Sequence, residues 1–348
     1  MKGFVLDIKD IIQLARRTIL LIAVLILSQS VQSQNLSLLT NNSQNYNINP
    51  AFTGDHPYDW NIYNTVSNVF TGFNYNLQTY NLLADYQVYF PPDKLSLAVN
   101  YMQYKVTHGP INDKMVNCTF AYHKRYRSQI FHVGIQPGII GQALLMDQLL
   151  FPDQYDRTIG GFNGSVGTAE LFENSKVYKF NINAGLLYSN LKHHNMKIGF
   201  AMFNLTRPNL SSSDFEFKLP IRYVGSFGID LPIPDGFMLR PFTYALFYDD
   251  EFEWVGGASY SLDPNFINFL VHSFSVGAFI KIKNNHRPTH LIGQVGFKYN
   301  RFNFHLAYST PVFNANNLPQ QWQTLELTVV YNGFLSKLNE HKTPCNFY

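Results

Sequence analysis

The stretch "RFNFHLAYST" (Arg301–Thr310) decides the fold class, because its side chains alternate in character. One parity is apolar and the other is polar or small: Phe302, Phe304, Leu306 and Tyr308 against Asn303, His305, Ala307 and Ser309. Successive side chains of a strand point to opposite faces, so this stretch predicts a strand with one apolar face. The mean hydropathy of the chain is only -0.13, so the fold must explain what these apolar faces contact.

The same alternation recurs after residue 58 and predicts about fourteen strands of roughly 9–13 residues, the length that crosses a bilayer at a tilt. The predicted spans are 59–70, 77–90, 94–106, 114–125, 128–140, 176–189, 195–205, 219–231, 237–248, 252–261, 273–283, 289–299, 302–311 and 322–333. Short and long connections alternate between them, apart from the short "DDE" (249–251) and the long "DPNFINFLVH" (263–272).

We therefore predict an all-β fold, a transmembrane antiparallel β-barrel of about fourteen strands with lipid on its apolar face. A secreted, soluble two-sheet β-protein is the alternative, because it would also bury one face of each strand. Tyrosines near the strand ends favour the barrel, since aromatic girdles lie at membrane interfaces. Charged residues are 14% of the chain, and a net charge of +3 without a Lys/Arg block argues against nucleic acid as a partner.

The N-terminus has the pattern of a secretory signal peptide. Basic residues precede the apolar run "TILLIAVLIL" (18–27), and Val31 and Ser33 suit a cleavage site before Gln34. A membrane-anchoring helix is the alternative, although a run of about ten residues is short for a span. We expect a signal peptide at 1–33, a polar segment at 34–58, the barrel at 59–333 and a periplasmic tail at 334–348.

No arrangement in the sequence predicts a catalytic, cofactor or metal site. His193 and His194 are adjacent in a predicted turn, but a metal needs three or four ligands. His305 and Ser309 share a polar face, yet roughly 13 Å along a strand separates them, which is too far for nucleophile activation. Lys281, Lys283, Lys298 and Arg301 on the lower rim or polar faces would suit an anion-favouring pore.

Several motifs, in order, resemble the PorP/SprF family of type IX secretion membrane proteins. "NINPAFTG" (47–54) is similar to the family's "NPAYAG", and "FAYHKRY" (120–126) to its "YAYH". Further matches are "FHVGIQPGIIGQALLMDQLLFPDQYD" (131–156), "FNINAGLLYS" (180–189), "IGFAMFNLTRPN" (198–209), "KLPIRYVGSFG" (218–228), "LRPFTYALFY" (239–248), "HLAYST" (305–310) and the tail "TPCNFY" (343–348).

The resemblance implies a non-enzymatic barrel in the Gram-negative outer membrane that serves protein export and, in some members, gliding motility. Implied partners are periplasmic secretion-ring proteins, a secreted cargo or surface adhesin, and outer-membrane lipid. A porin-like channel is the alternative function, and an outer-membrane hydrolase is the third. The candidate interaction residues lie in three motifs: Asn49, Pro50 and Gly54; Phe151, Pro152, Asp153 and Gln154; and Pro344 and Cys345.

Two of these motifs have a second, simpler interpretation. "NINPAFTG" is either a lead-in turn or a segment that plugs the lumen, and "FPDQYD" is either a turn or a loop that packs over the lumen. Cys118 has the apolar parity of its strand while Cys345 lies in a polar tail, which argues against a disulfide between them.

Overall fold

The computed structural model describes residues 39, 45–70, 76–107, 109, 111–144, 154–156, 160–162, 175–211, 218–262, 273–284, 287–312 and 322–334. They all lie in one compact unit, Leu38–Tyr348. The expected signal peptide and nearly all of the expected tail lie outside these residues. The part of the chain that is described contains no helix with the length and apolarity of a transmembrane span.

Fourteen antiparallel strands close into a barrel, which confirms the predicted fold class. The bounds are β1 Trp60–Phe70, β2 Asn76–Phe90, β3 Asp93–Val106, β4 Ile111–Tyr126, β5 Gln129–Leu144, β8 Ser175–Asn190, β9 Met196–Phe203, β10 Arg222–Gly228, β12 Phe237–Tyr248, β13 Glu251–Leu262, β14 Ser273–Lys283, β15 Arg287–Tyr299, β16 Phe302–Pro311 and β17 Gln323–Gly333. Three short strands accompany them: β6 Tyr155–Asp156, β7 Gly161–Phe162 and β11 Leu231–Ile233.

Neighbouring strands along the chain are neighbours in the sheet, and the ring closes where β1 pairs with β17. We call the end where β1 begins and β17 ends the terminal end, and the opposite end the loop end. Short turns at the terminal end contain Arg127, His194, Asn195 and Asn300, all with positive φ. Asn and His adopt this left-handed conformation more readily than most residues, which suits them to tight turns.

Two strands are shorter than their alternation predicts. The stretches 195–205 and 219–231 form only Met196–Phe203 and Arg222–Gly228. The first strand ends because Asn204 has a φ of 58° and leaves the extended conformation. In the second stretch Pro220 lacks the backbone N–H that a ladder needs.

The two faces of the wall have opposite chemistry. On β16, Leu306 is 48% exposed on the outer face while Ala307 beside it is fully buried. Exposed large apolar side chains continue around the outer face, and polar side chains are buried inside, among them Asn61, Thr65, Asn181 and Glu326. A closed sheet pairs its backbone groups internally, so an apolar outer face is what lipid requires. Cys118 also lies exposed on this outer face.

Candidate functional site

The N-terminal segment Asn45–Asp55 (the lumen segment) packs against inward-facing residues of the barrel. It contains two 3-10 turns, Asn45–Asn47 and Pro50–Phe52. Asn49 caps the second turn, because its Oδ1 accepts a hydrogen bond from Ala51 N at 2.9 Å. Pro50 follows at the first helical position, where a missing N–H costs nothing. The dipeptide thus forms a rigid turn from local chemistry alone.

Asn49 also joins this turn to the wall. Its Nδ2 donates to Leu186 O at 2.8 Å and to Phe200 O at 3.4 Å, on β8 and β9. Asn49 is 1% exposed, so these bonds form away from bulk water. Buried polar groups must find partners, and this amide therefore specifies where the turn docks.

The wall beneath the turn is a row of small residues that pair across six strands. The register joins Ser96, Ala121, Gly134, Gly185, Ala201 and Val224. A Cβ on Gly134 would come within 2.6 Å of Ala51 N and Pro50 C, and a Cβ on Gly185 would collide with Asn49 Oδ1. Backbone can approach backbone this closely only without side chains between them. We call this row the small-residue floor.

Apolar side chains of the lumen segment complete a core inside the barrel. Ile48 and Phe52 cluster with buried inward residues of six strands: Leu187, Phe203, Leu246, Val255, Phe279 and Ile292. Nearer β1, Tyr46 packs edge-on against Tyr63 and accepts a hydrogen bond from Asn81 Nδ2 at 2.8 Å. Further along the lumen, Leu39 N donates to Glu326 Oε2 at 2.8 Å. Inward positions are therefore not uniformly polar.

An ion pair holds the end of the lumen segment nearest the terminal end. Lys197 Nζ of β9 lies 2.5 Å from Asp55 Oδ2, and Lys94 Nζ of β3 donates to Gly54 O at 2.5 Å. Burial by itself would raise the pKa of Asp55, but Lys197, His132 and Lys94 outweigh it and hold that pKa well below its usual range. Asp55 is therefore a carboxylate at neutral pH, bound to the wall by charge.

Gly54 lets the chain turn at this point. Its φ is +73°, a left-handed conformation that favours glycine, and an added Cβ would collide with Ser96. Beyond it, His56 Nε2 lies 2.8 Å from Asp85 Oδ2, and Gln87 Nε2 donates to His56 O at 3.1 Å. Asp59 N then donates to Gly333 O at 3.0 Å and leads into β1.

A buried chain of side chains crosses four strands next to the floor. Ser96 Oγ lies 2.9 Å from His123 Nε2. The Nδ1 atoms of His123 and His132 lie 2.5 Å apart, and His132 Nε2 lies 3.0 Å from Ser189 Oγ. All four residues are buried. Ser–His contacts can serve nucleophilic catalysis, and here Gly54 of the lumen segment lies directly on Ser96.

An open cavity of about 430 Å³ lies on the other side of the lumen segment. It extends to the terminal end, where Asn195, Asp230 and Arg240 line it. Amide, hydroxyl and imidazole side chains of the far wall also line it, including Ser259, Ser275, Gln294, Asn303 and His305. Such polar groups keep a cavity hydrated.

The structure places the other candidate residues apart from this region or does not describe them. Gln154 is buried beside the short hairpin β6–β7, while Phe151, Pro152, Asp153, Pro344 and Cys345 lie outside the described residues. His193 and His194 lie in the terminal-end turn between β8 and β9. The described residues contain no group of three or more His, Cys, Asp or Glu side chains suited to a metal.

The four basic residues expected on the lower rim or on polar faces do not share one rim. Lys281 and Lys283 lie at the loop end of β14, whereas Lys298 and Arg301 lie at the terminal end. Lys281 Nζ is 2.8 Å from the buried carboxylate of Glu253, and Lys298 Nζ donates to Tyr58 OH at 2.8 Å. The alternating pattern assigns these lysines to a face of the sheet, but it does not say whether they lie at the terminal end or at the loop end.

Sequence reasoning singled out "NINPAFTG" (47–54), with a lead-in turn and a lumen plug both left open, but it did not identify the wall residues that contact this segment. Glycine on the polar parity of β5 and β8 was a usable signal, because Gly134 and Gly185 leave inward positions without a side chain. Lys94, Asp55 and Lys197 carried no local signal, since the ion pair joins residues 142 positions apart.

Comparison with solved structures finds outer-membrane barrels. The monoaromatic hydrocarbon channel CymD matches with a TM-score of 0.51 and 10% identity, over 84% of this chain and 92% of that one. The toluene transporter TbuX of Ralstonia pickettii matches with a TM-score of 0.51 and 10% identity, over 82% of this chain and 92% of that one. At this identity the likeness concerns the fold alone.

Comparison with the curated proteins gives no match. Among known families, residues 28–331 match the one described as "Type IX secretion system membrane protein PorP/SprF". This match extends from before the lumen segment almost to the end of β17. The chain therefore belongs to the PorP/SprF family of type IX secretion system membrane proteins.

Proposed function

We propose that this protein is a non-enzymatic component of the type IX secretion machinery in the outer membrane, where it supports export or surface anchoring of cargo proteins such as adhesins. Gliding motility would follow where the cargo is a motility adhesin. The observation that carries the proposal is the family match over residues 28–331 on a closed barrel.

The barrel offers two surfaces for this role. Both ends of the wall, Trp60 and Gly333, lie at the terminal end, which we assign to the periplasm together with the tail 334–348. Periplasmic secretion-ring proteins would contact the turns and the tail there, with Pro344 and Cys345 as candidate contacts. The loop end would face outward and contact cargo, with Phe151–Gln154 as candidate contacts. Lipid covers the outer face between the two ends.

The lumen segment would act as a plug in this assignment. Asn49 and Pro50 seat it on the small-residue floor, and Gly54 lets it turn toward the terminal end. Glycines that leave room only for the docked turn, such as Gly134 and Gly185, would not be needed along a solute pathway. A porin-like channel, the alternative function, requires a continuous path past Ile48 and Phe52, which pack into an apolar core.

The proposal is tested by comparing the secreted and surface proteomes of a deletion strain with those of the wild type. We expect at least one cargo protein to disappear from the surface and to return on complementation with the wild-type gene. Complementation with a Gly293→Val variant, whose new Cβ meets nothing within 4 Å, controls for expression of an altered barrel. Unchanged proteomes would contradict the export role, and single-channel conductance of the purified wild-type protein would support the porin.

A further inference from the structure

Two neighbouring turns at the terminal end carry a group of exposed cations. One turn joins β4 to β5 and the other joins β8 to β9, and Leu191 N of the second donates to Ser128 O of the first at 2.8 Å. Lys124 and Arg127 lie at the first turn and Lys192 at the second, and all three side chains are exposed. The contact between the turns brings these three residues, which we call the turn cations, to one sector of the rim.

The turn cations carry more charge than their own turns neutralise. Lys124 Nζ lies 2.9 Å from Asp93 Oδ2, at the start of β3. Arg127 and Lys192 form no ion pair with any described residue. Two of the turn cations therefore keep their full charge available to a ligand.

The next turns around the rim are also described, and their carboxylates do not reach the turn cations. The turn between β2 and β3 contributes Asp93, which already pairs with Lys124. The turn between β10 and β12 contributes Asp230, which accepts a hydrogen bond from Asn195 Nδ2 at 2.8 Å and lies 3.5 Å from Arg240 Nε. Asp235 follows on the β12 side of that turn, farther round the rim. The excess positive charge is thus local to this sector.

The outer face directly beside the turn cations is apolar. Lys124 pairs with Phe131, which pairs with Tyr188, which in turn pairs with Ile198, so the four residues form one row across β4, β5, β8 and β9. The rings of Phe131 and Tyr188 lie 5.3 Å apart, and Phe131 and Ile198 are about half exposed. We call Phe131, Tyr188 and Ile198 the girdle row. Aromatic girdles of outer-membrane barrels lie at the level of the lipid headgroups.

The cations of the first turn stand against rings of the outer face. Arg127 Cζ lies 5.5 Å from the ring centroid of Tyr126, which is 61% exposed. Tyr122 OH donates at 2.5 Å to the same Asp93 oxygen that binds Lys124. A soluble acidic protein would approach the turns from the aqueous side and would not need these rings. A ligand that carries a negative charge on an apolar chain matches both parts of the surface.

We propose that the turn cations and the girdle row bind an anionic phospholipid, with its phosphate between Arg127 and Lys192 and its acyl chains along the girdle row. A guanidinium can hold a phosphate through two parallel N–H bonds, and a lysine contributes a point charge. Clusters of Lys and Arg beside a membrane recognise anionic headgroups in this way. The chemistry of the site rests on the terminal-end residues alone, and only its assignment to the periplasmic leaflet rests on the proposed function.

Lipid retention by the purified full chain tests the proposal. The protein in neutral detergent is mixed with dioleoyl phosphatidylglycerol or with dioleoyl phosphatidylcholine, and native mass spectrometry measures the bound lipid. We expect phosphatidylglycerol to be retained in preference, and less of it to remain bound as salt rises. Inorganic phosphate in excess should not displace it, because a free anion does not contact the girdle row.

Charge variants show whether the turn cations hold the headgroup. The double variant Arg127→Gln/Lys192→Gln should reduce affinity for phosphatidylglycerol about tenfold or more. The matched control Lys105→Gln/Lys114→Gln removes two exposed cations at the loop end of β3 and β4 and should leave affinity unchanged. A heat-dependent shift in gel mobility shows that each variant barrel is folded. Equal retention by the wild type and Arg127→Gln/Lys192→Gln overturns the proposal and would favour an acidic protein as the ligand of these turns.

Photocrosslinking locates the bound lipid independently. A phosphatidylglycerol with a diazirine in its headgroup should attach to peptides that contain residues 122–131 or 186–198, and the attachment should fall in Arg127→Gln/Lys192→Gln. Adducts confined to loop-end segments overturn the proposal. Neither assay depends on export, so an unchanged deletion-strain proteome would overturn only the proposed function.

Discussion

Two regions of the lumen wall are built from the same kind of alternating strand but meet different neighbours. The region formed by β3, β4, β5, β8, β9 and β10 presents the small-residue floor, and the lumen segment lies on it. The region formed by β13–β16 joins the apolar core of the lumen segment through Phe279 and Ile292, but elsewhere it presents polar side chains such as Gln294 and His305, which line a cavity of about 430 Å³.

The difference shows which side-chain sizes the wall can carry next to each neighbour. A docked backbone tolerates no Cβ at Gly134, whereas water adapts to side chains of any length. Gly134 and Gly185 therefore fit the docked segment, whereas an added Cβ on the inward Gly277 or Gly296 would meet side chains of the wall itself. The predictions below test how firmly the lumen segment is held on the small-residue floor.

The three substitution predictions share one measurement of lumen-segment release. Thr53 is 2% exposed, so a Thr53→Cys side chain should react slowly with a maleimide while the segment is docked. The background carries Cys118→Ser and Cys345→Ser to remove the native thiols. The labelling rate then reports the fraction of time that the segment is undocked.

The largest effect is expected for Asp55→Asn. It leaves Lys197 and Lys94 without their buried counter-charge, and removing one partner of a buried ion pair costs about 3–5 kcal/mol. Labelling of Thr53→Cys should rise by two orders of magnitude or more. The matched control is Asp93→Asn, whose partner Lys124 is 57% exposed, and it should change labelling little. Similar rates in the two variants would contradict the anchoring role of Asp55.

The next effect is expected for Gly134→Val. Its Cβ would lie within 2.6 Å of the backbone of Pro50 and Ala51, and overpacking of this kind costs about 1–3 kcal/mol. Labelling should rise, and conductance in planar bilayers should rise with it. Gly293→Val places the same side chain where nothing lies within 4 Å and should resemble the wild type. A Gly134→Val barrel with wild-type labelling would mean that the floor does not need glycine.

A smaller effect is expected for Asn49→Ala. The substitution removes the cap on Ala51 N and the two bonds to Leu186 O and Phe200 O, at a cost of about 1–2 kcal/mol. Asn49→Ser can still cap the turn but is too short to reach β9, so its labelling rate should lie between wild type and Asn49→Ala. If Asn49→Ser labels as fast as Asn49→Ala, the cap contributes nothing.

The smallest effect is expected from acid. The pKa of Asp55 is held below its usual value, so its stabilisation is present above about pH 4 and is lost as pH falls further. At pH 3 the loss is about 1 kcal/mol for a carboxyl with an unfolded pKa near 3.9. Faster exposure of the segment between pH 5 and pH 3, measured by pepsin cleavage or deuterium uptake, should disappear in Asp55→Asn.

Much of the fold was predictable because alternation is a local property. The stretch 301–310 predicted its two faces, and its strand Phe302–Pro311 has Leu306 outside and Ala307 inside. The docking turn was also visible locally, since Asn49-Pro50 carries its own cap and fixed φ. The inward apolar residues Phe279 and Ile292 were not predictable, because parity alone does not reveal that a second segment packs inside the barrel.

The sequence by itself determined the strand pattern, the number of strands, the apolar outer face and the turn at Asn49, because each depends on residues a few positions apart. Only the tertiary structure decided that Gly134 and Gly185 meet that turn and that Asp55 meets Lys197. These features join residues that are distant in the chain, and closing the sheet into a ring is what brings them together.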